Sequence, residues 1–527
     1  MSDLPRISRH ALRAWPLVVA VAVVSACDPT ESDATFTVDQ RIDMAGDDDS
    51  RVQSEKPQMC VNSLGNVYVM WSDDRASSGT GSATGSTALT TDKAVLWMNR
   101  SLEFGEEGTW LPAPARINQG EGNIASPRMI CDDNGAYVVW QDDRDGELKN
   151  PNVYFQRTSD GETWLAEDVR ISPDPEGDTL SINPDIAIDQ SGTLYVTWAD
   201  SESGSYDIKV GTSNDGGATW GPTFARVDQD PPGEGWSGNP RIAVSPGGDF
   251  AWVTWMDKRD GKSDVYVAYS DSAGTSFRPE KRLDGTLQDS DGLTDSFEPR
   301  LCTDGTGPVY VVWHDGKNGD GNDIYFNYSP DLGANWSETA QRLDSDNPGF
   351  FNSQIPQCSA DGQTLHVAWQ DNRFGGYDIF YRSVTAGIPN FEEIRLDIGT
   401  QTGAANSIDV RLARYEDSVA VAWTDGRAEA EAAADDEGTG GLGYSDLFYN
   451  FAPNGGAFST EQDYRIDSLL PGQSAKKHLN ISLLGGEVYA AWEDGRNGTK
   501  DIYFQRHVLG DEGTPPPVDE ESSGEAQ

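Results

Sequence analysis

The chain is poor in cationic and in metal-binding side chains. Its 39 Lys and Arg stand against 87 Asp and Glu, so the formal net charge is −48 over 527 residues. Such a surface repels phosphate backbones, which argues against a nucleic-acid partner. Only five histidines are present. Beyond the N-terminal segment they are His314, His366, His478 and His507, and none sits in a His-Glu-x-x-His pattern or pairs with another at ligand spacing. A catalytic zinc is therefore not expected, and no metal is assigned. No apolar run is long enough to span a bilayer, no glycine loop carries a strand into a helix around a phosphate, and the repeats hold no long amphipathic helical segment. What is abundant is Gly (56) and Trp (16), a composition of strands and tight turns.

The N-terminus places Arg6, Arg9 and Arg13 ahead of a short apolar run, residues 17–24. That is a signal-peptide layout over residues 1–26. The run ends in Val24-Ser25-Ala26-Cys27, which resembles the lipobox of bacterial lipoproteins. The resemblance implies lipidation at Cys27 and a membrane anchor at the cell envelope, with inner or outer membrane left open. Residues 27–34 then form a tether. Residues 509–527, acidic and Pro-rich, lack the apolar content to fold and read as a disordered tail.

Between these ends one unit repeats. A strand closing on Trp-x-Asp recurs at Trp71, Trp140, Trp198, Trp255, Trp313, Trp369, Trp423 and Trp492. The two widest gaps hold Gly/Ser/Thr-rich and acidic Ala-rich inserts, 77–91 and 428–443, which read as surface loops. Each Trp-x-Asp strand is apolar on both faces, as a strand between two neighbouring sheets must be. A Pro-led strand precedes it, an Asp-Ile-Tyr-Phe strand follows, and an Arg-Leu-Asp strand ends the unit. Four strands repeated eight times predict an all-β, eight-bladed β-propeller over residues 35–508. The first Arg-Ile-Asp, at Arg41, precedes the first Pro strand, while the last unit has no fourth strand of its own. The N-terminal strand is thus expected to complete the last blade and close the ring, leaving no open edge. A monomer is expected.

Between third and fourth strands lie Ser213-x-Asp215-x-Gly217-x-x-Trp220 and Ser329-x-Asp331-x-Gly333-x-x-Trp336, with weaker copies at 101–110, 158–164 and 270–277. These turns resemble the Asp-box of the sialidase-like (BNR) propellers. In that family the box is structural, so the resemblance implies fold rather than catalysis. The family's enzymes clamp a substrate carboxylate with three arginines, the first in Arg-Ile-Pro, and attack with a Tyr. No Arg-Ile-Pro occurs here, and the enzymes have six blades. The nearest substitutes are Arg128, Arg241 and Arg300, each just after the Pro of an inner strand. They are candidates for a channel site for an anion or glycan, or for structural pairing with nearby carboxylates. At about 45° per blade the outer two stand roughly 135° apart, which makes convergence on one carboxylate difficult. Two functions follow as expectations: a binding or scaffold module for glycan or protein, or an exo-acting glycoside hydrolase of sialidase type. No catalytic residue is assigned.

The Asp and Arg of Trp-x-Asp-x-Arg recur in blade after blade, so they read as a hairpin ion pair rather than chemistry. The oxygen-rich loop 315–323 offers a possible Ca2+ seat, without EF-hand spacing. Cys60, Cys131, Cys302 and Cys358 all fall on inner strands, in the adjacent blade pairs one-two and five-six. They are either two bridges between neighbouring blades or four buried thiols.

Overall fold

The computed structural model describes residues 38–44, 53–73, 94–120, 122–145, 150–173, 178–221, 224–285, 294–390, 392–399, 402–427, 445–469 and 472–508. Cys27, the tether, the tail and both inserts lie outside them. Among the described residues the named elements are strands, arranged as eight antiparallel sheets. Blade 1 consists of Ser54–Val61, Val67–Asp73, Val95–Ser101 and Ala115–Arg116, in that order from channel to rim. The other blades repeat it, blade 6 with a second short outer pairing at Ile388–Pro389. The protein is an eight-bladed β-propeller.

Closure follows the expected frame. Gln40–Arg41 pairs with Asp501–Val508 and supplies the outer strand of blade 8. Blades pack through apolar clusters that alternate around the ring; Trp71, Trp140, Trp198, Trp255, Trp313, Trp369, Trp423 and Trp492 are all fully buried.

The Trp-x-Asp motif is a brace. In seven blades the indole Nε1 donates to the Asp two residues on, as in Trp198 to Asp200 at 2.9 Å. The other oxygen of the Asp accepts the backbone N–H of the following turn. Arg144, Arg259, Arg373, Arg427 and Arg496 bind this Asp and reach an acid near the outer strand, such as Asp463 at 2.7 Å from Arg427. Each guanidinium also covers the ring of Tyr154, Tyr266, Phe380, Phe448 or Tyr503. One residue set thus ties second, third and fourth strands of a blade together.

The turns at 213–220 and 329–336 are built alike. Ser213 Oγ accepts from Gly217 N at 2.9 Å and donates to Asp215, which accepts from Thr219 N. Ser329, Gly333, Asp331 and Asn335 repeat these bonds. Gly217 and Gly333 have φ of +84° and +92°, a conformation open to glycine. Trp220 meets Phe155 of the preceding blade edge-to-face at 5.4 Å.

Cys60–Cys131 and Cys302–Cys358 are disulfides, with Cα–Cα distances of 5.9 and 6.1 Å. They join inner strands of blades 1 and 2, and of blades 5 and 6, so neighbouring inner strands come within bridging distance.

Candidate functional site

The site grows out of one backbone irregularity repeated eight times. Each inner strand carries a bulge near its start, where the register against the second strand shifts. The residues there are Lys56, Ser126, Asn183, Asn239, Glu298, Ile355, Asp409 and His478. All have φ between 49° and 57°, the left-handed region that side-chain-bearing residues rarely adopt. A bulge re-aims the side chains beside it. Two residues further on stand Gln58, Arg128, Asp185, Arg241, Arg300, Gln357, Arg411 and Asn480, one per blade.

At this second position the residues divide into two kinds. Gln58, Asp185 and Asn480 stitch their blade to the next. Gln58 bonds Pro127 O and Met129 N, Asp185 accepts from Ile242 N at 3.1 Å, and Asn480 donates to Pro57 O at 2.9 Å. Among the described residues Arg241, Arg300 and Arg411 make no such bond, while Arg128 reaches Asp185 of the next blade at 3.7 Å. Arg128, Arg241 and Arg411 fold back to donate to the carbonyl just before them in the chain.

Arg128, Arg241 and Arg300 line a single cavity of about 160 Å³ together with Ser126, Asn183, Asn239, Glu298 and Pro299. The three belong to blades two, four and five and still border one space. Arg128 lies 3.7 Å from Asp185, so the pairing expected of a structural arginine holds for it alone. Among the described residues Arg241 and Arg300 have no carboxylate within ion-pair distance. Arg300 Nε is shut off from solvent without a hydrogen-bond partner. Burial, then the neighbouring charge of Arg241, pushes the Arg300 guanidinium down to about 10, with Glu298 acting against that and Arg128 and Arg411 adding to it. Burial and Arg241 lower Arg128 too, against Asp185. The cavity wall thus holds three arginines and one acid, Glu298, an excess of like charge that costs free energy.

Arg411 escaped the sequence reading because Val410 replaces the proline in blade 7. The signal was spacing: Arg411 and Arg128 each stand twelve residues before the Trp of their blade. Arg411 pairs with Asp409 at 2.7 Å.

Two other clusters have the look of metal sites, Asp207/Asp228/Asp230 and Asp323/Asp344/Asp346. Each is already centred on a cation. Arg226 Nη2 lies 3.1, 3.0 and 2.7 Å from its three acids, and Arg342 Nη2 takes the same seat among the second three. Loop 315–323 is engaged likewise: Asp315 faces Lys317 at 3.2 Å and Asp323 faces Arg342. These acids hold blades, and Asp315 and Asp323 of the oxygen-rich loop are paired with cations of the chain.

No protein-family profile matches the chain, and no curated protein matches it in sequence. Similar solved structures include a protein of unknown function from Dyadobacter fermentans, at 12% identity and TM-score 0.39 over 89% of this chain and 98% of that one. The polysaccharide lyase Uly1 is similar at 12% identity and TM-score 0.45, over 77% of this chain and 94% of its own. The NanB sialidase of Streptococcus pneumoniae is similar at 12% identity and TM-score 0.37, over 84% and 83%.

Proposed function

We propose that the chain is an exported, lipid-anchored envelope protein whose propeller binds an acidic glycan, through a carboxylate or sulfate group, at the channel arginines. The observation that carries this reading is the pair Arg241 and Arg300. They face a cavity whose one acid, Glu298, stands beyond ion-pair distance of both, in a protein whose acids outnumber its bases more than two to one. Asn183, Asn239 and Ser126 beside them supply neutral hydrogen bonds to the hydroxyls of such a ligand.

Binding is favoured over hydrolysis by what the cavity wall holds. Glycoside hydrolysis takes two carboxylates, or a Tyr with a carboxylate partner. Glu298 is the one acid on that wall, and no Tyr is among its residues. Isothermal titration of the mature chain with sialic acid, a uronate and a sulfated sugar tests the reading. Saturable binding that weakens with salt and disappears in Arg241→Gln supports it. Absence of binding to all three overturns it, and steady turnover of a fluorogenic sialoside replaces it with the hydrolase.

A further inference from the structure

The two faces of the ring differ. Every inner strand starts at the face of the bulges and arginines and ends at the other. The antiparallel order then puts the turns between first and second strands, and between third and fourth, on that other face. The described N-terminal end at Val38 and the end of Asp501–Val508 lie there as well.

One corner of this second face is apolar. Val38, Leu64, Val508, Leu102 and Phe104 are 71, 57, 48, 43 and 41% exposed. They are half of the large exposed hydrophobics among the described residues, and they are contiguous. Phe104 N donates to Gly65 O at 3.0 Å and its ring lies over Gly65, the residue after Leu64. Arg506 Nη1, two residues before Val508, donates to Phe104 O at 3.3 Å. Gln40 Nε2, two residues after Val38, donates to Gly105 O at 2.9 Å. Apolar patches of this kind mark interaction surfaces.

Phe104 also has φ of +56°. The same place in the other Ser-x-x-x-Gly turns is taken by Gly216, Ala273 and Leu332, with φ of 71°, 51° and 59°. An aromatic residue in this conformation, with its ring partly in water, is unfavourable twice over.

The occupant follows from where the chain goes. Ten residues separate Cys27 from Val38, a span of at most about 40 Å when fully extended. Val38 stands on the face of this corner, so a lipid on Cys27 would draw this face, rather than the arginine mouth, toward the bilayer. Glu103, Glu106 and Glu107 are exposed around the patch and disfavour anionic headgroups. We propose that Val38, Leu64, Leu102, Phe104 and Val508 form a membrane-resting corner that seats on a zwitterionic lipid surface and turns the arginine mouth outward. This rests on the lipid-anchor reading above.

The test uses the mature chain in phosphatidylcholine vesicles. Mass spectrometry first shows whether Cys27 is acylated; its absence overturns the anchor reading itself. With acylation established, Leu102→Cys and, on the opposite face, Phe374→Cys are each labelled with a polarity-sensitive dye. The expected result is blue-shifted emission at position 102 on vesicles and no shift at 374, with the shift at 102 lost when Leu64→Ser and Phe104→Ser are added. Two outcomes overturn the proposal: equal, water-like emission at both positions, or a shift at 102 that rises with protein concentration without lipid, which would mean a second copy covers the corner.

Discussion

Arg41 Nη2 lies 2.8 Å from the carboxylate of Asp501, across the seam where the two ends of the propeller meet. Asp501 is almost fully buried there, and Arg41 also holds Asp43 at 2.8 Å. Arg41→Ala leaves two buried acids without their cation. It is expected to cost about 3 kcal/mol, seen as a lower midpoint in urea. Deleting residues 38–44 goes further, since it bares the edge of Asp501–Val508. That variant is expected to self-associate in light scattering.

On the binding proposal, Arg300 trades stability for a ligand. Arg300→Gln removes a buried charge set among like charges, so it is expected to stabilise the free protein by about 1 kcal/mol while abolishing anion binding. Thermal unfolding with and without the acidic sugar reads both. A loss of stability on substitution would show that Arg300 braces the ring instead.

Stability is expected to fall as the solution turns alkaline. Burial lifts the Asp264 carboxyl to about 7, helped by Asp284 and opposed by Arg282. Burial likewise raises Asp228 and Asp344 inside their arginine-centred clusters. A raised acid binds its proton more tightly folded than unfolded. Its contribution is complete below about pH 4 and is lost as pH rises through 7, at up to about 1.4 kcal/mol per pH unit per group. Urea midpoints should therefore drop from pH 5 to pH 8, and Asp264→Asn should flatten part of that slope.

The turn at 213–220 should be intolerant of a side chain at its glycine. A Cβ on Gly217 would stand 2.1 Å from the Phe155 ring, in a backbone of φ +84°. Gly217→Ala is expected to cost about 2 kcal/mol and to leave sugar affinity unchanged, because this turn lies on the face away from the arginines.

The disulfides close loops of 71 and 56 residues, each worth about 4 kcal/mol in the chain-entropy account. Cys302→Ala with Cys358→Ala should lower the unfolding midpoint by a corresponding amount, and reductant should do the same to the unaltered chain.

The ring and its closure were legible in the sequence because their signals are local. A strand apolar on both faces, an Asp after Trp, and a Gly in a four-residue turn each declare a blade without reference to any other. The cavity's arginines were legible: Arg128, Arg241 and Arg300 stand out by following a proline. The rest of its wall, Ser126, Asn183, Asn239 and Glu298, was not, and nor was Arg411 nearby, which follows Val410. That Arg128, Arg241 and Arg300 border one cavity, with Asn183 and Asn239 between them, depends on the closed ring and not on any local motif. The left-handed residues themselves gave no warning, since Lys56, Ile355 and Glu298 carry no turn signature. The exposed corner at Phe104 was hidden for another reason: its members come from both chain ends and two turns, and only the closed ring brings them together.

The eight bulges have an evolutionary consequence. Because the backbone strain is set by the repeat and not by any one side chain, each blade presents two replaceable positions on a scaffold that is already shaped. Exchanging a Gln such as Gln357 for Arg, or an Arg for Asn, would redraw the chemistry of the channel without refolding a single strand. Diversity in such a protein accrues around a fixed axis, like changing the teeth of a lock while keeping its barrel.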